Sequence, residues 1–137
     1  MTTTLDYRDN QPLSAPEPAL TLLSQAERGL ADAELDSQPA QRFAGAYLAA
    51  LRAAAALLAV RGRPHRGRSR PTSVWTLLGS VAPELHEWAT FFAAWSDTRE
   101  SVQAGITRVV SARAADDLVR RTGQFVGLVT RAIHGTS

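Results

Sequence analysis

The chain has 137 residues and no cysteine, which excludes disulfides, thiolate chemistry and cysteine-based zinc sites. Its length suits a single domain that buries a core without staples, and the 24 alanines beside few strand-forming residues point to an all-α fold. The net charge of +2 is too small to mark a nucleic-acid binder by itself, but it is unevenly spread: −5 over residues 1–36, +7 over 37–83 and zero over 84–137.

Residues 1–13 are polar and aperiodic and read as a disordered N-terminus, leaving 14–137 as one helical domain. The first helix is expected near 16–34, with Ser14 as its cap, Glu17 three residues on, and Leu20, Leu23, Leu30 and Ala31 on its inward face. The second is capped by Asp36 or Ser37, carries Pro39 in its first turn and ends at about Arg61, before Gly62. Phe43, Tyr47, Ala50, Leu51, Ala54, Leu57 and Leu58 repeat along it at helical spacing. Residues 62–72 then form a long basic connection whose proline, glycine and arginine content leaves nothing to bury.

Ser73 caps a short helix near 74–80, and Pro83 opens another piece near 84–97 that residues 98–104 could extend to Gly105. Leu85, Trp88, Phe92 and Trp95 form one stripe on this third element, which is either kinked or split. Ser111 caps the last helix, near 112–134, whose inward stripe is Leu118, Phe125, Val129 and Ile133 and whose end is Gly135. Four amphipathic stretches joined by polar connections predict an up-and-down four-helix bundle with a kinked or split third helix. Tyr47, Leu51, Trp88, Phe92, Leu118 and Phe125 are its expected core.

Two clusters are candidates for binding. Arg61, Arg63, Arg66, Arg68 and Arg70 could grip phosphates through charge and planar hydrogen-bond forks, although a solvated connection has the same composition. Arg113, Asp116, Asp117, Arg120 and Arg121 share the first turns of the last helix and could form a polar cleft. The spacing lets Arg113 pair with Asp116 or Asp117, and lets Arg120 and Arg121 answer the same acids, as ordinary helix charge compensation would. His65, His86 and His134 lack metal-ligand spacing and read as solvent-facing. Trp75, Trp88 and Trp95 with Phe91 and Phe92 read as core rather than as a ligand cage. No phosphate-binding glycine loop or Ser-His-Asp set is present, so neither a cofactor nor a metal is expected.

The segments RFAGAYLAALRAAAALLA, VWTLLGSVAPELHEWATFF and SARAADDLVRRTGQFV give residues 38–134 a resemblance to an actinobacterial branch of the HEPN superfamily. Its most specific parts are Trp75 with Pro83-Glu84-Leu85 and Trp88, and the run Arg113 to Asp117. The resemblance implies a compact helical bundle, often dimeric, and in many members a metal-independent ribonuclease. The ribonuclease signature is an arginine followed, after four to six residues, by a histidine near the start of the last helix. The histidine would move the proton of the ribose 2′-OH and the arginine would stabilise the phosphorane. Arg113 stands at the arginine position, but the histidine positions hold Leu118, Val119 and Arg120. The expectation is therefore a non-catalytic module that binds RNA, a nucleotide or a protein partner, a second copy included. A ribonuclease with a rearranged site using His86 or His65, and an antitoxin-like structural bundle, are the alternatives. No uninterrupted apolar run reaches the roughly 20 residues that span a bilayer, and MTTTLDYRDN is no secretion signal. The expected location is the cytoplasm, away from the membrane.

Overall fold

The computed structural model describes residues 15–62 and 73–135. The expected disordered start, the Ser14 cap, His65 and all of the basic connection except Gly62 lie outside those residues. Among the described residues the chain is all helical, with no strand. Helix α1 spans Glu17–Glu34 and α2 spans Pro39–Arg61. The third element is three short helices, α3 (Val74–Val81), α4 (His86–Ala93) and α5 (Ser96–Gln103), with a 3-10 turn at Pro83–Leu85. Helix α6 spans Ala112–His134.

Helix α1 starts at Pro16, which fixes the entry geometry without a side-chain cap, and buries Ala19, Leu23, Ala26, Leu30 and Ala33. This face is rotated from the expected one. Leu20 and Ala31 are exposed, because the small residues Ala19 and Ala33 are what allow α2 to lie close. The cap of α2 also differs from expectation. Gln38 occupies that position, and Asp36 instead accepts a hydrogen bond from the Gln38 backbone N–H at 3.0 Å, closing the turn between the helices.

Helix α2 is the central strut. It packs along α1 and α6 and touches α3 and α5. By length and composition it could cross a membrane, which the expectation based on uninterrupted apolar runs missed. Arg42 and Arg52 break the run but do not offset its alanines and leucines. Over half of that apolar stretch is buried inside the protein.

The third element breaks twice rather than once. Ala82 and Pro83 make the expected break. The second falls at Ala94–Trp95, where the Ser96 hydroxyl donates to the Ala93 carbonyl at 2.8 Å and competes with the helical ladder. The caps expected at Ser73 and Ser111 are present, each accepting a backbone N–H from the third residue on. Gly135 ends α6 in the left-handed region with φ 61°.

The core centres on an aromatic cluster. Trp75 stacks on Phe92 with ring centroids 4.9 Å apart, and Phe125 closes against both. The Trp75 indole N–H donates to the Tyr47 hydroxyl at 2.9 Å, and that hydroxyl donates to the Phe92 carbonyl at 3.2 Å. Tyr47, Phe92, Leu118 and Phe125 are buried as expected. Leu51 and Trp88 are half-buried, at the margin of the cluster.

Candidate nucleic-acid interface on the last helix

The five polar residues singled out near the start of α6 do not converge on one cleft. Their i, i+3, i+4, i+7, i+8 spacing puts them along one side of the helix, away from its buried stripe, but their contacts lead in different directions. Arg113 is exposed. Asp116 meets Arg42 of α2, whose Nε donates to Asp116 Oδ1 at 3.0 Å. The Arg42 Nη1 also donates to the Asp36 carbonyl at 2.9 Å, and its side chain is only 13% exposed. One arginine thus ties the α1–α2 turn to α6. Asp117 is ion-paired with Arg120, one turn further along α6.

The expected pairing of Arg113 with these aspartates is therefore not formed. Arg42 is held in place by the Asp36 carbonyl and reaches Asp116 first, while Arg120 takes Asp117. Arg121 does not answer either acid. Its guanidinium lies against α4, with Cζ 4.4 Å from the Phe91 ring centroid and 5.0 Å from that of Trp88. Its Nε is buried without a hydrogen-bond acceptor. Arg42 was invisible to the sequence reading because its partner lies 74 residues away. The available signal was a lone arginine in the first turn of an alanine-rich helix with no acid within helical reach.

Of the basic cluster, Arg61 is described, and Arg63, Arg66, Arg68 and Arg70 lie outside the described residues. Arg61 Nη1 donates to Glu84 Oε2 at 2.7 Å, and that bond holds the Glu84 carboxyl below its ordinary range. The contact ties the end of α2 to the 3-10 turn before α4.

A groove of about 400 Å³ runs between α3 and α4 and is lined by Trp75, Thr76, Gly79, His86, Ala89, Thr90 and Ala93. No carboxylate or guanidinium lines it. Helical geometry puts His86, Ala89, Thr90 and Ala93 on one side of α4 and Trp88 and Phe91 on the other. His86 and Arg121 are thus separated by the body of α4. Among the described residues no group of three or more histidines and carboxylates could hold a metal ion.

A family model described as SAV_6107-like HEPN matches residues 33–130, well over half of the chain. The chain belongs to this HEPN family. No curated protein and no solved structure matches it. The match runs from the end of α1 into the last turns of α6, so it takes in the central strut, the broken third element and the polar start of α6. In this HEPN chain the positions where the resemblance implies a histidine are structural. Leu118 is fully buried in the core, Val119 is half-buried against it, and Arg120 is committed to Asp117.

Proposed function

We propose that this HEPN chain is a non-catalytic module that binds single-stranded RNA through the arginine face of α6. The observation that carries the reading is the pairing pattern on that helix. Both aspartates are neutralised, by Arg42 and by Arg120, so Arg113 and Arg121 are left without an ion-pair partner among the described residues. They lie eight residues apart on one i, i+4 ridge, about 12 Å at the helical rise. An uncompensated basic ridge attracts polyphosphate, the backbone of a single-stranded RNA included.

Among the described residues no histidine lies beside these arginines, which supports binding without cleavage. His86 lies on the far side of α4, which speaks against a rearranged ribonuclease built on it. The test is titration of a labelled single-stranded RNA across a range of salt concentrations. Affinity should fall as salt rises, and Arg113→Ala should lower the slope of log affinity on log salt by about one. Failure of the wild-type chain to bind RNA at low salt would overturn the reading and favour a bundle that serves as a structural partner.

A further inference from the structure

We propose that Arg121, gripped by Trp88 and Phe91, is a preset phosphate fork and the arginine that gives RNA binding its geometry. The inference rests on the RNA-binding reading and names the contact within it. An exposed arginine must lose its rotamer freedom when it binds, whereas a guanidinium already held against two rings has lost it on folding. Arg121 is held in that way, with Cζ 4.4 and 5.0 Å from the two ring centroids.

Its three nitrogens are not equivalent. Nε is the one buried without an acceptor, and the side chain makes no hydrogen bond or ion pair among the described residues. The Nη nitrogens are not among the buried atoms that lack a partner, and Arg121 keeps part of its surface exposed. The nearest acid on the same ridge, Asp117, is paired with Arg120. What remains is a pair of coplanar N–H donors on a charged, partly exposed group held against two rings. That arrangement matches two oxygens of a tetrahedral phosphate, and lysine cannot reproduce it because an ammonium is a point charge without a fork. Arg113, exposed on all sides, offers charge without the grip.

A carboxylate could also meet such a fork. The phosphate backbone is favoured because α6 continues the ridge to Arg113, a second cation about 12 Å along the helix with no ion-pair partner among the described residues. The experiment is fluorescence anisotropy of a labelled oligouridine with wild type, Arg121→Lys and, as the control, Arg131→Lys at an exposed position in the last turn of α6, off the ridge, each checked for an unchanged melting temperature. Arg121→Lys should weaken binding by about tenfold with little change in salt slope, since the charge is kept and the paired hydrogen bond is lost. Arg131→Lys should bind as wild type. A double variant, Trp88→Leu with Phe91→Leu, keeps Arg121 but releases it, and should lose affinity to a similar degree.

Equal affinity of Arg121→Lys and wild type would overturn the fork while leaving RNA binding intact. No RNA binding by any form would instead overturn the RNA reading. Polyglutamate competing as strongly as oligouridine, with the same sensitivity to Arg121→Lys, would overturn phosphate in favour of an acidic protein partner.

Discussion

Tyr47 sits where four elements of the fold meet, and its hydroxyl is the hinge of the buried hydrogen bonds. It accepts from the Trp75 indole, donates to the Phe92 carbonyl, and has the Arg99 guanidinium 5.3 Å from its ring centroid. Replacing it with phenylalanine keeps the packing but strands the buried Trp75 N–H, while the Phe92 carbonyl still accepts the Trp95 N–H at 3.0 Å. Tyr47→Phe should cost about 1–3 kcal/mol in urea denaturation at neutral pH. Burial also raises the Tyr47 phenol above its ordinary 10.0, so the folded chain holds that proton more tightly than the unfolded chain does. The resulting stability is fully present below pH 10 or so and declines as pH climbs through the raised value. Wild type should therefore lose more stability than Tyr47→Phe between neutral and strongly alkaline pH. Parallel losses in the two proteins would show that the phenol is not desolvated. Thr122 presents the opposite case. It is fully buried and its hydroxyl has no partner among the described residues. Thr122→Val removes an unpaired polar group at constant shape and should leave stability unchanged or raise it by about 1 kcal/mol. A loss above that size would mean the hydroxyl is hydrogen-bonded after all.

At the scale of elements, the spacing of α1 and α2 is set by small residues. A Cβ built on Gly45 would lie 2.8 Å from the Ala33 Cβ, closer than two carbons can sit. Gly45→Ala should force the two helices apart and cost about 1–3 kcal/mol. Gly127, in the middle of α6, meets nothing within 4 Å of such an atom. Gly127→Ala should raise stability by about 0.5–1 kcal/mol, since it relieves only the entropic cost of glycine in a helix. Opposite signs in thermal melts of the two variants are the check, and a stabilising Gly45→Ala would refute the close approach. The same elements show what the sequence made legible. Local signals were read well: the Ser73 and Ser111 caps, the Pro83 break, the Gly135 stop and the stripe of α6 each depend on residues within one or two turns. The inward face of α1 is not legible from its leucines, because close helix packing is decided by alanine and glycine on both partners. The break at Ala94–Trp95 went unread because a serine hydroxyl competing for one carbonyl leaves no mark in periodicity. On α6, the identity of the polar residues was legible but their partners were not. Arg42 and Asp116 are joined only by tertiary packing, and Arg121 turns inward because the half-buried rings of α4 lie where a purely local reading expects solvent.

For the molecule as a whole, the family likeness and the chemistry of the chain point in different directions, and cleavage is where they can be told apart. Metal-independent hydrolysis of RNA requires a group that takes the 2′-OH proton and one that returns a proton to the leaving oxygen, each with a pKa near neutrality. Histidine meets that need most readily. Around Arg113 the residues at the right helical spacing are a core leucine, a half-buried valine and a paired arginine, and arginine stays protonated throughout the relevant range. Asp116 and Asp117 are no substitutes, because the carboxylate of each is already engaged in an ion pair, with Arg42 and with Arg120. His86 faces a groove on the other side of α4, without a charged side chain to stabilise a phosphorane. The HEPN chain incubated with single-stranded RNA in the presence of chelator should therefore leave the RNA intact at every pH between about 5 and 9, the range in which a histidine could act. Arg113→Ala should be indistinguishable from wild type in that assay while binding RNA more weakly. Cleavage by wild type that is lost in Arg113→Ala would restore the catalytic reading. If the activity were lost in His86→Ala as well, the proton carrier would be the histidine across α4, and α4 would have to rotate or a second copy supply that histidine for the two groups to meet.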